Sequence, residues 1–168
     1  MLCFERRSAT AISPADLEMA FTFEQRERSR LRFPLPDGRE AAFLIERGAP
    51  LVEGERLGTA EGLVLAIQAK PELLMEVRTS DPLTLVRAAY HLGNRHVRLE
   101  IGAHWLRLPP DYVLRDMLMR LGVEVFEVTA PYQPESGAYG GGHHHSHSHH
   151  EGDEFHSKPR LHHFGGSQ

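Results

Sequence analysis

The sequence predicts an α+β protein in three parts: a small β-rich domain (residues 1–70), a domain of four strands and two helices (71–130) and a disordered tail (131–168). Short runs of alternating apolar and polar residues, separated by turn signals, indicate the β-rich part. Two helical patterns, each preceded by an aspartate suited to capping, indicate the second part. The tail is rich in glycine and proline at its start and holds nine of the 12 histidines.

The β-rich domain is predicted from period-two patterns, in which alternate side chains share one face of a strand. A Pro36-Asp37-Gly38 turn separates two of its strands. The domain is expected to end at Lys70-Pro71, because proline cannot donate a ladder hydrogen bond. The predicted strands are Met19–Arg26, Arg30–Leu35, Ala41–Gly48 and Gly62–Ala69.

The first helix of the second domain is predicted to begin at Asp81-Pro82, where aspartate caps and proline occupies the first helical position, and to stop at Gly93. The second helix is predicted between Asp111 and Gly122. The strands are predicted at Glu72–Thr79, His96–Ile101, Trp105–Pro109 and Val123–Val128. The apolar helix positions are Leu85, Val86, Ala89 and Tyr90 in the first helix, and Val113, Leu114, Met117, Leu118 and Leu121 in the second.

The predicted order β-α-β-β-α-β is that of the ferredoxin-like fold, in which a four-stranded antiparallel sheet carries both helices on one face. That fold hosts many unrelated functions, so function has to come from individual residues.

Composition excludes several classes of function. The net charge of −4 does not favour nucleic-acid binding, and Cys3, the single cysteine, can form neither a disulfide within the chain nor a thiolate cluster. No apolar run is long enough to cross a membrane, and the N-terminus lacks the apolar core of a secretory signal. A cytoplasmic protein without nucleic-acid or membrane partners is therefore expected.

The histidine tract of the tail predicts metal binding, because neutral imidazole suits nickel, zinc and copper. A purification tag is the alternative, but this tract is interrupted by serines, and 18 residues that include three more histidines follow it. The candidate tail ligands are His143, His144, His145, His147, His149 and His150.

The body of the chain offers His91, His96 and His104. His91 at a helix end and His104 in a hairpin turn are expected to have structural roles. His96 is the candidate ligand, placed at a strand start opposite the apolar face. One imidazole cannot hold a divalent ion, so a homodimer is predicted in which two copies of His96 meet near a two-fold axis and tail histidines or water complete the site.

Three segments carry a resemblance to a known family: YHLGNRH (Tyr90–His96), DYVLRDMLMRLGVEVFEV (Asp111–Val128) and PYQPESGAYGGGHHHSHSHH (Pro131–His150). Together they resemble the urease accessory protein UreE family over nearly the whole chain. The resemblance implies a homodimeric nickel metallochaperone, not an enzyme, with Ni(II) as cargo and Zn(II) or Cu(II) as competitors. It makes His96 the ligand shared between subunits, and the N-terminal domain a peptide-binding-like unit.

The resemblance also implies partners: the urease accessory GTPase UreG with the urease maturation complex, and a hydrogenase-maturation nickel protein.

The chain departs from the family in two places. Pro110 and Tyr112 replace a His-x-His pair, so an accessory metal site is expected to be missing. Arg98 and Glu100 replace proline and glutamine after the HLGNRH string, and these residues are expected to alter the charge near the metal.

Three rival functions follow from the residues. A histidine-rich nickel or zinc storage protein without a delivery role would need only the tail. A phosphate hydrolase could use Asn94 and Arg95, but no glycine-rich phosphate loop accompanies them. An RNA-binding module would need exposed aromatic residues and a basic face, and only Trp105 and Phe126 are available on the predicted sheet.

Overall fold

The computed structural model describes residues 1–8 and 14–136. Its strands and helices confirm the predicted α+β class. The strands are β1 (Leu2–Phe4), β2 (Arg6–Ser8), β3 (Leu17–Phe21), β4 (Arg30–Pro34), β5 (Glu40–Leu44), β6 (Arg56–Gly58), β7 (Val64–Ala69), β8 (Pro71–Arg78), β9 (Glu100–Ile101), β10 (Trp105–Leu108) and β11 (Glu124–Pro131). The helices are α1 (Phe23–Arg26), α2 (Pro82–Gly93) and α3 (Tyr112–Arg120).

Two sheets are built from residues 2–69. One has the order β1-β5-β4, and the other has the order β2-β6-β7-β3. Their apolar faces share one core, in which the ring of Phe21 meets Phe33 edge-on at 5.0 Å and Phe43 at 5.8 Å. Such aromatic contacts stabilise a core beyond their buried area.

Two predicted strands of this part are too long. The strand predicted over Met19–Arg26 ends at Phe21, where Thr22 begins the single turn α1. Thr22 accepts a hydrogen bond from the Gln25 N–H, and the Gln25 side chain accepts one from the Thr22 N–H. This reciprocal capping outweighs the alternating pattern that continues through Glu24. The strand predicted over Ala41–Gly48 ends at Leu44.

The third sheet is antiparallel throughout, with the order β11-β8-β10-β9. From Pro71 to Pro131 the chain order is strand, helix, strand, strand, helix, strand. Side chains of α2, α3 and one face of the sheet form a second core, centred on Val77, Leu92, Leu106 and Leu118.

The predicted helix starts are confirmed. Asp81 accepts hydrogen bonds from the N–H groups of Leu83 and Thr84, both at 3.1 Å, and Pro82 opens α2. Asp111 accepts from the second and third N–H groups of α3 at 2.8 and 2.9 Å. These caps satisfy backbone donors that would otherwise lack partners at each helix start.

The predicted apolar face of α2 is only half correct. Ala88 and Leu92 are buried, whereas Val86 and Tyr90 are 64% and 65% exposed. The apolar residues of α2 cover more of its circumference than the sheet can contact. The helix therefore keeps a second apolar stripe at the surface. Within the described ranges, no helix has the length and apolar character needed to span a bilayer.

Candidate metal site

His96 lies just beyond the C-terminus of α2. Its N–H donates to the Gly93 carbonyl at 2.9 Å, and the Val97 N–H donates to the Leu92 carbonyl at 3.2 Å. These two bonds form a Schellman motif, which satisfies the last carbonyls of a helix. The motif requires the first of the two donating residues, here His96, to adopt the left-handed conformation, and the φ of His96 is 55°. The prediction that His96 starts a strand is therefore wrong, since β9 begins at Glu100.

The end of α3 repeats this motif with a different residue. Gly122 donates to the Met119 carbonyl at 3.0 Å, Val123 donates to the Leu118 carbonyl at 3.5 Å, and the φ of Gly122 is 82°. Glycine takes this conformation without steric penalty, whereas an ordinary L-residue loses roughly 1–2 kcal/mol. His96 is the one non-glycine residue with positive φ in the described part of the chain. Strain of this kind often marks a residue kept for its side chain.

His96 is exposed to solvent. Residues 1–8 and 14–136 contain no group of three His, Cys, Asp or Glu side chains placed to hold a metal. The described part of a single chain therefore does not supply the four to six donors that a divalent transition metal needs. The candidate tail ligands from His143 to His150 lie outside the described residues.

His91, Asn94 and Arg95 all take part in the end of α2. The His91 carbonyl accepts from Arg95 Nη1 at 3.0 Å, and the Asn94 N–H donates to the Tyr90 carbonyl at 3.0 Å. The His91 ring meets the Tyr90 ring edge-on at 5.5 Å. A structural role at the end of α2 therefore accounts for all three residues without a catalytic function.

The chain that leads into the histidine tail runs beside the segment that follows His96. Tyr132 is 2% exposed, and its hydroxyl donates to the Arg98 carbonyl at 2.6 Å. The Glu135 N–H donates to the Leu99 carbonyl at 2.7 Å. The tail was predicted to begin at residue 131, but residues 131–135 are bonded to the body. Tyr132 is the residue that sequence reasoning missed, and its signal was an aromatic side chain directly after a strand.

Tyr132 is also held from the other side by a buried guanidinium. Arg26 donates to the carbonyls of Phe21 at 3.3 Å, Leu51 at 2.9 Å and Tyr132. Burial lowers the pKa of Arg26 and raises the pKa of the Tyr132 phenol. The Tyr132 ring also meets Phe23 edge-on at 5.4 Å. These contacts fix the start of the tail between α1 and the third sheet.

Arg98 and Glu100 face α1 and the chain around Tyr132. Arg98 forms an ion pair with Glu27 at 2.6 Å, and its guanidinium lies 5.3 Å from the centre of the Phe23 ring. Glu100 Oε2 is buried and has no hydrogen-bond partner among the described residues. The charge of Arg98, whose side chain is 54% exposed, is therefore partly balanced by Glu27.

An exposed apolar stripe runs along α2 toward His96. Leu83, Val86 and Tyr90 recur at spacings of three and four residues, which places them on one helix face. All three are more than half exposed. Contiguous exposed apolar surface of this kind is typical of a protein–protein interface.

Comparison with known proteins gives a consistent result along the chain. A family model described as UreE urease accessory protein, N-terminal domain, matches residues 5–70, and one described as the C-terminal domain matches residues 72–163. The urease accessory protein UreE of Nitrosococcus oceani is 96% identical over 168 residues, all of both chains. That of Ectopseudomonas mendocina is 54% identical over 160 residues, 93% of this chain and 95% of its own. That of Azotobacter vinelandii is 49% identical over 162 residues, 95% and 96% of the two chains. With matches of this extent, the chain belongs to the urease accessory protein UreE family.

Proposed function

We propose that the chain is a nickel metallochaperone that binds Ni(II) between two copies of His96 and delivers it for assembly of the urease active site. Family membership supports an accessory role in urease maturation, which implies nickel handling in general. The observation that carries the specific proposal is the strained, exposed His96 at a helix end where α3 has glycine. We also infer that residues 71–130 form a ferredoxin-like metal-binding and dimerisation domain, and residues 1–70 a peptide-binding-like domain.

Two-fold symmetry supplies the second imidazole. An isologous interface brings the same patch of both subunits together, so any residue near the axis meets its own copy. The exposed stripe of Leu83, Val86 and Tyr90 supports such an interface, because burying it against a second copy removes apolar surface from water. His96 follows the same helix by three residues, which places it at the edge of that patch.

The remaining donors are assigned to the tail. His143 follows Glu135 by eight residues, and Glu135 is bonded to Leu99, three residues after His96. An extended chain covers about 3.4 Å per residue, so the tail spans about 27 Å where about 10 Å is required. The six histidines from His143 to His150 can therefore reach the metal. They also raise the local concentration of nickel at the axis.

The proposed site contains nitrogen and oxygen donors, since Cys3 is the single thiol and lies in β1. Imidazole ligation suits Ni(II) and admits Zn(II) and Cu(II) as competitors. Two fixed ligands with exchangeable tail ligands or water hold the ion while leaving it open to attack by a partner's donors. We propose that UreG, within the urease maturation complex in the cytoplasm, takes the ion, and that a hydrogenase-maturation nickel protein supplies it.

Calorimetric nickel titration tests the proposal. The full chain is compared with a chain truncated after Gly142, with His96→Gly, and with His104→Ala as the matched control at another exposed histidine. We expect one ion per two chains to survive truncation and the His104 change, and to disappear in His96→Gly. If truncation abolishes all binding, the chain is a storage protein whose tail acts alone.

Sedimentation of Val86→Glu tests the interface. A charge in the centre of the α2 stripe should convert the dimer to monomer and lower the affinity of the tight site. Val52→Glu is the control, because Val52 is also more than half exposed but lies outside α2. A Val86→Glu protein that remains dimeric and binds nickel normally would contradict this geometry.

A further inference from the structure

A groove runs along the junction between α1 and the third sheet, beside the segment that follows His96. It consists of two adjoining cavities of about 320 and 450 Å³, which share Phe23, Glu27 and Arg98 as lining residues. One end lies at Glu135 and Ser136, the last two residues that the structure describes. The floor is partly apolar, since Tyr132, Val97 and Leu114 line it together with prolines.

The lining of the groove has more carboxylates than guanidinium groups. Its lining contains one guanidinium, Arg98, which is paired with Glu27. Glu24 is paired with Arg28 at 2.6 Å, and Glu72, which accepts the Phe23 N–H at 2.6 Å, also interacts with the buried Arg26 guanidinium. Asp111, which caps α3, and Glu135 form no ion pair among the described residues, so the groove keeps a net negative charge. The lining carboxylates are Glu24, Glu27, Glu72, Asp111 and Glu135. A ligand for this groove should therefore combine cationic groups with apolar side chains.

We propose that the groove binds a segment of the same chain, residues 157–164, with the sequence SKPRLHHF. Lys158 and Arg160 supply the positive charges, and Leu161 and Phe164 supply the apolar groups. The preceding segment, which contains Glu151, Asp153 and Glu154, is repelled by the same carboxylates. Charge complementarity therefore selects the distal part of the tail.

Chain connectivity makes a weak contact sufficient. Ser136 lines the groove, and Lys158 follows it by 22 residues, so the segment returns to the place from which the tail departs. Tethering through a linker of this length gives an effective concentration of roughly millimolar order. An intrinsic dissociation constant of about 1 mM is enough to occupy the groove half of the time.

Docking has a consequence for the metal site. His162 and His163 follow Arg160 by two and three residues, and Val97 and Arg98, which line the groove, directly follow His96. The docked segment therefore brings two further imidazoles to the proposed nickel site. This consequence rests on the proposed function, whereas the docking itself does not depend on metal.

Paramagnetic relaxation in the metal-free full chain tests the docking. The chain carries Cys3→Ser and Ser167→Cys, with a nitroxide attached at position 167. We expect the amide signals of Val97, Arg98 and Glu135 to broaden at least threefold more than that of Phe43 in β5. Lys158→Glu with Arg160→Glu should remove this broadening, and Arg30→Glu with Arg32→Glu, the same charge change on exposed β4, should leave it unchanged.

Two outcomes overturn the proposal. Equal broadening at Val97 and Phe43, or broadening that survives the double reversal at Lys158 and Arg160, shows that the segment is not held in the groove by charge. In a mixture of nitroxide-bearing chains and separate isotope-labelled chains, broadening can arise only between two chains. If broadening appears only in that mixture, the tail of another copy occupies the groove. Neither outcome bears on nickel binding by His96, so the two proposals fail separately.

Discussion

Replacing His96 by glycine should stabilise the metal-free protein while abolishing its tight nickel site. The left-handed backbone of His96 costs about 1–2 kcal/mol, which glycine avoids. Glycine in turn makes the unfolded chain more flexible, which offsets about 0.5–1 kcal/mol of that gain. Because His96 is exposed and little packing should be lost with its side chain, we expect a net gain of about 0.5–1 kcal/mol in the free energy of unfolding.

Urea denaturation followed by circular dichroism measures this change at equal protein concentration and with metal removed. For a urea dependence of about 2 kcal/mol per molar, the midpoint should rise by about 0.3–0.5 M. Gly122→Ala, at the residue that follows the C-cap of α3, is the reverse control. A side chain there meets no atom within 4 Å, so the φ of 82° alone should lower stability by a similar amount.

A His96→Gly protein that is less stable than the natural chain would refute this reasoning. It would mean that the imidazole contributes to folding, so that its conformation needs no functional explanation. Stability and nickel affinity that change in opposite directions would instead show that His96 is kept for its side chain at the expense of the fold.

Three further predictions concern the pH response and the buried polar groups. Nickel affinity, measured by calorimetry, should fall at least tenfold between pH 7 and pH 5, because ligation needs neutral imidazole, which titrates near pH 6.5 when unperturbed. An affinity that stays constant over this range would show that groups other than histidine bind the metal. Glu76→Gln should cost about 2 kcal/mol in urea denaturation at pH 7, because Glu76 accepts hydrogen bonds from Arg78 and Arg107 at 2.6 and 2.7 Å. Burial raises the pKa of Glu76, but these two hydrogen bonds outweigh it and the net pKa is lowered. The advantage over Gln should therefore be fully present above the ordinary glutamate pKa of about 4.3 and be lost as the pH falls through the lowered pKa of the folded state; an advantage that does not change with pH would contradict this assignment. Tyr132→Phe should cost about 1 kcal/mol through loss of the bond to the Arg98 carbonyl and should speed amide exchange at Glu135; unchanged exchange there would show that Tyr132 does not anchor the tail.

The sequence alone determined the features that local interactions decide. Asp81-Pro82 and Asp111 mark helix starts because the capping oxygen and the N–H groups it satisfies are two or three residues apart. The α+β class followed from the same kind of short-range pattern. The candidate ligand His96 was chosen among the three body histidines by its predicted place at a strand start, which is wrong, and by the HLGNRH string, which also carried the family resemblance.

Tertiary structure decided which side of α2 is buried and what conformation His96 adopts. Val86 and Tyr90 share the helical spacing of core residues, and only the position of the third sheet leaves them exposed. The left-handed conformation of His96 could not be predicted from the sequence, since no glycine stands at this position. The hydrogen bonds from His96 and Val97 to α2 impose this conformation, rather than the preference of histidine itself.

The junction beneath the tail was likewise beyond sequence reasoning. Arg26 and Tyr132 are 106 residues apart, and Arg98 meets Glu27 across the boundary between the two sheet systems. A buried guanidinium is recognisable only through the carbonyls that surround it, and those come from chain segments that folding alone brings together. Local sequence fixes what each segment prefers, whereas burial of polar groups depends on distant partners that must be present to satisfy them.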